Sequence, residues 1–215
     1  MIVPSMTLHE IRKALVYDYE HEVHARMKAD EIIAKGKWIR GGRKDFVETN
    51  SFITNTRNKW RIIVNCNKGN VSTNAYVISY NEIGITASHF LFGRETEHLM
   101  HFNTHFFKRY KERLKINLDK PEDLVKYFFR HNLVMLPSYF PMDDGAQQLF
   151  CCLDGGIGLG KYYEEESIHE FKTFVDNSLL HNNQKEQIQK IWIETIAELT
   201  DEFNRRIKKM SGKGG

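Results

Sequence analysis

The chain has 215 residues, 41% hydrophobic and 27% charged, with a formal net charge of +3. That composition excludes a disordered or fibrous protein, and the length suffices to bury a core. No run of about 18 apolar residues could span a bilayer, and the segment from Met1 to Met6 lacks the basic-then-apolar plan of a signal peptide.

In chain order, residues 7–35 are predicted as a long helix. Thr7-x-x-Glu10 is a capping-box pattern, Leu8, Ile11, Leu15, Tyr19, Val23 and Met27 recur at helical spacing, and Gly36 supplies the stop. Residues 45–92 read as a four-strand meander turning at Asn55–Asn58, Asn67–Asn70 and Asn81-Glu82. Such a meander must bury a face against a helix. Residues 104–115 and 120–132 read as a central helix pair, the first with Thr104 as a natural N-cap and the second opened by Asp119-x-x-Glu122. A loop over 137–145 follows, then a hairpin about Asp154-Gly155, a strand from Glu170 to Val175, and a last helix over 183–210 with a tail at 211–215. The expected fold is one α+β domain over 1–210, with antiparallel sheet and long N- and C-terminal helices.

The most chemical-looking segment is Thr104-His-Phe-Phe-Lys-Arg-Tyr-Lys-Glu-Arg-Leu114. At about 100° per residue, His105, Arg109 and Arg113 lie near 0°, 40° and 80°, beside an apolar face made by Phe106, Phe107, Tyr110 and Leu114. Two guanidinium forks and an imidazole at the edge of a core suit phosphodiester cleavage without metal: arginine stabilises charge on pentacoordinate phosphorus, and histidine moves a proton near neutrality. The plain alternative is an amphipathic helix with a solvated basic face.

Thr104-His105-x3-Arg109-x3-Arg113, followed by a second helix, a hairpin and a strand ending Phe171-Lys-Thr-Phe-Val175, resembles the BrnT-type toxins of the RelE- and barnase-like ribonuclease group over residues 104–176. The resemblance implies metal-independent RNA cleavage on a sheet face. His105 would handle a proton, Arg109 and Arg113 would hold phosphate, and Thr173 or Lys172 would assist from the strand. The sequence departs from that pattern in Phe106-Phe107 after the histidine, in its greater length, and in the meander and helix that precede the motif.

Other segments compete. Lys35, Lys37, Trp38, Arg40, Arg43 and Lys44 form a basic stretch without an acid, suited to phosphate contact with Trp38 stacking on a base. Residues 104–120, including Lys108, hold six cations against two acids, so the positive charge is concentrated in a few places. His98, His101 and His105, with Glu97 adjacent, would share a face on a continuous helix and could ligate zinc; the N-cap at Thr104 argues against that, leaving His98 and His101 on a half-exposed connection. Gly155–Gly160 has strands on both sides and no following helix, so Gly158 and Gly160 mark a bulge or a close backbone approach rather than a phosphate loop. Asp143-Asp144 could bind a divalent ion but reads more simply as a polar turn.

Cys66, Cys151 and Cys152 form no C-x-x-C and no paired framework, which suits a reducing cytoplasm. The expectation is a cytoplasmic protein that contacts RNA, with DNA as second candidate, no membrane and no cofactor. It would be a toxin-like endoribonuclease or, alternatively, a non-catalytic nucleic-acid or protein-binding module of a mobile element or phage-like locus. A zinc-dependent hydrolase is the third class. The long apolar stripes of the terminal helices suit pairing with a second copy.

Overall fold

The computed structural model describes residues 1–91, 98–141 and 147–211. Helix α1, Leu8–Asp18, begins with the expected capping box, in which Glu10 Oε2 accepts from the Thr7 amide at 2.8 Å and Thr7 Oγ1 accepts from the Glu10 amide at 3.3 Å. A wider π turn, Tyr19–Val23, leads into α2, His24–Arg40. The helix therefore continues through Gly36 instead of stopping there. Tertiary packing overrides the glycine signal: Trp38, two residues further on, lies against the turn at Gly69, where a Cβ would come within 2.8 Å of its ring.

Strands β1 (Phe46–Ile53), β2 (Lys59–Asn67), β3 (Asn70–Asn81) and β4 (Gly84–Leu91) form the expected meander. At the β2–β3 turn Lys68 and Gly69 both have left-handed backbones (φ 49° and 79°), as a two-residue turn matched to strand twist requires. Strand β5, His98–Phe102, lies where a half-exposed connection was expected; all five of its residues are buried. Helices α3 (Thr104–Arg113) and α4 (Pro121–His131) follow. Their caps differ from expectation. Asn103, not Thr104, accepts from the Phe106 amide at 2.9 Å, which frees Thr104 Oγ1 to donate to Ile85 O at 3.0 Å. The N-cap of α4 is Lys120, without a side-chain bond, and Pro121 takes the first turn, where no amide partner is needed. Beyond them come β6 (Pro137–Pro141), expected as loop, then β7 (Gln147–Leu153), β8 (Gly156–Tyr163), β9 (Ile168–Asp176) and α5 (Asn182–Ser211). Glu97, Asp143, Asp144 and residues 212–215 lie outside the described residues, as do the side chains of Leu199, Phe203, Ile207 and Met210.

Among the described residues nine strands make one sheet in the order β1-β2-β3-β4-β5-β9-β8-β7-β6. The fold is α+β, but the sheet is mixed rather than wholly antiparallel. The α3–α4 crossover carries the chain from β5 to the far edge, and a second meander returns it so that β9 lies parallel to β5.

Because side chains alternate along a strand, the sheet serves two cores. On one face Ile63, Tyr76, Met100, Phe102 and Phe171 receive Phe106, Phe107 and Tyr110 of α3 and Phe128 and Phe129 of α4. On the other, Ile11, Leu15, Val23 and Met27 of the first helices cover Trp60, Ile62, Val64, Phe90 and Leu99. The apolar stripe of the first helix is thus spent on the chain's own sheet and is not left for a second copy. Ile188 of α5 covers Phe150 and Ile157. These two alternate with Leu149, Cys151 and Gly158, which face α3, so α5 shares a face with α1 and α2 at the opposite end of the sheet. The β5–β9 seam lies between these two helical covers.

Candidate functional site

At that seam the face under α1 turns polar. Ser88 of β4, His101 of β5 and Glu170 of β9 stand side by side in register. His101 and Glu170 lie on the floor of a cleft of about 410 Å³, with Ser88 buried beside them; Leu8 and Ile11 of α1, its N-cap Thr7, and Ile2, Val3, Pro4 and Met6 contribute one wall. Ser79, Thr86, Asn103 and His105 close another side. Ser88 Oγ and His101 Nδ1 are 2.9 Å apart, which fixes the imidazole ring. Burial drives the His101 pKa down to about 4, although the Glu170 carboxylate pulls it up, so the ring is neutral at physiological pH.

Glu170 is the hub. Tyr163 Oη donates to Glu170 Oε2 at 3.0 Å, and Lys172 Nζ lies 3.1 Å from the same oxygen. That hydrogen bond to Glu170 raises the Lys172 pKa, keeping the ammonium charged. Lys172 owes its place to a bulge. Leu159 pairs with Thr173 and Gly160 with Phe171, leaving Lys172 as the extra residue. Gly160 is obligatory here, since a Cβ would fall 1.9 Å from Glu170 O. The glycine-rich stretch is therefore a bulge and a close backbone approach, as its strand setting implied.

The helical stripe is present, but its three groups do not converge on one point. Phe106, Phe107 and Tyr110 are buried, as the periodicity required, while His105, read at the edge of that apolar face, is exposed. His105 lines the cleft, whereas Arg109 pairs with Glu112 at 3.2 Å and Arg113 donates to Phe174 O on β9. Eight helical residues separate the first group from the last, so the stripe is a row about 12 Å long. Such a row suits following a backbone better than surrounding one phosphorus. The Arg109 pair is half-exposed and worth little, about 0–1 kcal/mol, so an incoming phosphate can displace Glu112. One carbonyl bond uses one of the five donors on Arg113. Thr173 is half-buried, pairs across to Leu159, and does not line the cleft; Lys172 reaches it through Glu170.

The zinc set is not assembled. His98 and His101 stand three apart on one strand and so lie on opposite faces, His98 beside the rings of Tyr162 and His169. Among the described residues no group of three or more His, Cys, Asp or Glu is placed to hold a metal ion. Burial raises the pKa of Cys151 and of Cys152, the latter to about 11, which keeps both thiols protonated and poorly nucleophilic.

The basic stretch after Lys35 is only partly free for a ligand. Lys35 donates to Gly69 O and sits 5.3 Å from the Trp38 ring, with the Arg43 guanidinium 5.9 Å from it. Trp38 is therefore a packing residue that anchors α2 to the β2–β3 turn, not a platform open to a base. Lys37, though exposed, is paired with Glu48; Arg40, Arg43, Lys44 and, on α3, Lys108 are exposed as well.

Sequence reasoning passed over His101 and Glu170 as cleft residues. The signal that could have found Glu170 was the strand pattern itself: Ile168, Glu170 and Lys172 occupy alternate positions, which sets an acid and a base on the face opposite Phe171. His101 carried no such signal, because β5 is buried on both faces and shows no alternation. Among the described residues no helix is long and apolar enough to cross a membrane. No protein-family model, no curated protein and no solved structure matches the chain.

Proposed function

We propose that this protein binds RNA along the α3 row and cleaves it in the cleft at the β5–β9 seam, with its own side chains supplying the proton transfers. The supporting observation is the meeting of His105 with His101 and Glu170 around one cleft, at the end of a row of cations on α3. The resemblance of the α3 motif to the BrnT-type toxins points the same way.

In this reading a ribose 2′-hydroxyl attacks the adjacent phosphorus and gives up its proton to a base. The 5′ oxygen departs and takes a proton from an acid, leaving a 2′,3′-cyclic phosphate and a free 5′-hydroxyl. His105 and Glu170 are the residues that exchange those protons. Lys172 and, once released from Glu112, Arg109 offset the charge that builds on the phosphoryl oxygens. His101, held neutral and fixed by Ser88, shapes the floor. Arg113, anchored on Phe174 O, holds the strand farther along α3.

A second reading, a nucleic-acid-binding module without turnover, is favoured by the existing engagement of Arg109 and Arg113. The two readings separate in one experiment that measures RNA binding and RNA cleavage on the same variants in excess EDTA. Arg109→Ala and Arg113→Ala are expected to weaken binding severalfold and to flatten its salt dependence by about one unit each. His105→Ala is expected to keep binding and lose cleavage. Binding by every variant with no cleavage by wild type would leave the binding module; no binding at all would end both.

A further inference from the structure

The side of α2 that faces away from the sheet is an apolar stripe whose isoleucines are exposed among the described residues. Setting the buried Met27 at zero, Ile39, Ile32, Ala25, Gly36, Ala29 and Ile33 fan out from about 120° to 240°. Ile32, Ile33 and Ile39 are 74%, 57% and 59% exposed. Single exposed aliphatics are ordinary. Here, however, Ala25, Ala29, Ile32, Gly36 and Ile39 follow alternating steps of four and three, the spacing of a seam that receives another helix. Small residues alternate with isoleucines along it, so a partner backbone can approach closely while its large side chains fill the places over Ala25, Ala29 and Gly36.

The flanks decide the occupant. Lys28 and Lys35 border the stripe on one side and Arg26 and Lys37 on the other, with Arg40 at its end and no acid on the outward half of the helix. Arg26 and Lys37 also pair with Asp30 and Glu48, and Lys35 donates to Gly69 O, which leaves Lys28 and Arg40 as the cations the test varies. A second copy of this helix would bring like charges together along both borders, which disfavours self-pairing. Nucleic acid has no use for three central isoleucines. We infer that the outward face of α2 docks an acidic amphipathic helix of another protein, with apolar residues on the seam and Asp or Glu on its borders.

The probe is a synthetic peptide of about four heptads with Leu on the seam and Glu on both borders, whose own repulsion keeps it from self-pairing, compared with a Lys-bordered counterpart. Fluorescence anisotropy with the full chain should show binding of the Glu-bordered peptide, at least about tenfold tighter than the Lys-bordered one. An Ile32→Asp/Ile39→Asp variant with an unchanged melting temperature should lose that binding by about tenfold or more. Lys28→Glu/Arg40→Glu should reverse the preference between peptides. No binding, or equal binding of both peptides, overturns the inference. So does a dimer by light scattering that the Ile32→Asp/Ile39→Asp variant abolishes, or affinity for RNA or for phosphatidylglycerol vesicles that this variant loses.

Discussion

Asp18 is the residue on which the packing of the first helix most depends. Fully buried where α1 gives way to the π turn, it accepts bonds from Thr54 Oγ1 (3.1 Å), Thr56 Oγ1 (2.5 Å), Asn58 Nδ2 (2.8 Å) and Trp60 Nε1 (2.9 Å). Asp18→Ala strands these donors in a closed interior, so urea unfolding should show a loss of about 3 kcal/mol or more. A second residue-scale consequence concerns acid. Burial lowers the pKa of both His89 and His101 from 6.5 to about 4. A histidine whose folded pKa lies below its unfolded one favours the folded state fully above about pH 6.5, and that advantage is lost as pH falls toward 4. Unfolding midpoints should therefore drop between pH 7 and pH 4.5, by up to about 3 kcal/mol per histidine. His89→Gln should remove about half of that slope; an unchanged slope would contradict the assignment. None of these roles was legible from residue type alone, since Asp18 sits in an ordinary amphipathic pattern and its four donors come from one turn about forty positions away.

At the scale of elements, several local signals held, while the caps read at Thr104 and Asp119 each lie one residue away, at Asn103 and Lys120, and strands set by packing were missed. The Thr7 capping box, the Asp154-Gly155 turn and the Gly160 bulge are each set by a few neighbouring residues, and each was readable. β5 and β6 were not. His98-Leu-Met-His-Phe102 is covered on both faces, so it lacks the polar alternation that marks a strand, and β6 is a short edge strand closed by a proline at each end. Gly36 misled for the opposite reason: a true helix breaker, it is outvoted by the docking of Trp38 and Lys35 on the Gly69 turn. An added methyl at Gly36 would meet only the Arg40 guanidinium, at 3.6 Å, an ordinary contact. Gly36→Ala should therefore stabilise the protein by about 0.5–1 kcal/mol, read as a higher urea midpoint with unchanged slope. A lower midpoint would mean that α2 needs the glycine for a reason other than helix geometry.

For the whole molecule, the governing feature is that two meanders meet through one parallel pair. Helices cover the two ends of one sheet face, and the seam between them carries His101 and Glu170 at the floor of the cleft, with Ser88 buried beside them, where an apolar floor would otherwise run. The sequence could announce the α3 row, because helical periodicity is local. It could not announce the cleft, whose floor joins residues from β4, β5 and β9, paired through a crossover of two helices and a second meander. Row and cleft meet in the proposed chemistry, in which His105 and Glu170 cut RNA delivered along α3. The most direct measurement follows a labelled RNA in excess EDTA with wild type, His105→Ala and Glu170→Gln, and analyses the chemistry of the new ends. Wild type should leave 2′,3′-cyclic phosphate and 5′-hydroxyl ends, and each variant should cut about 100-fold or more slowly while RNA binding persists. Cleavage at the wild-type rate by His105→Ala, or no cleavage by any of the three, would contradict this chemistry.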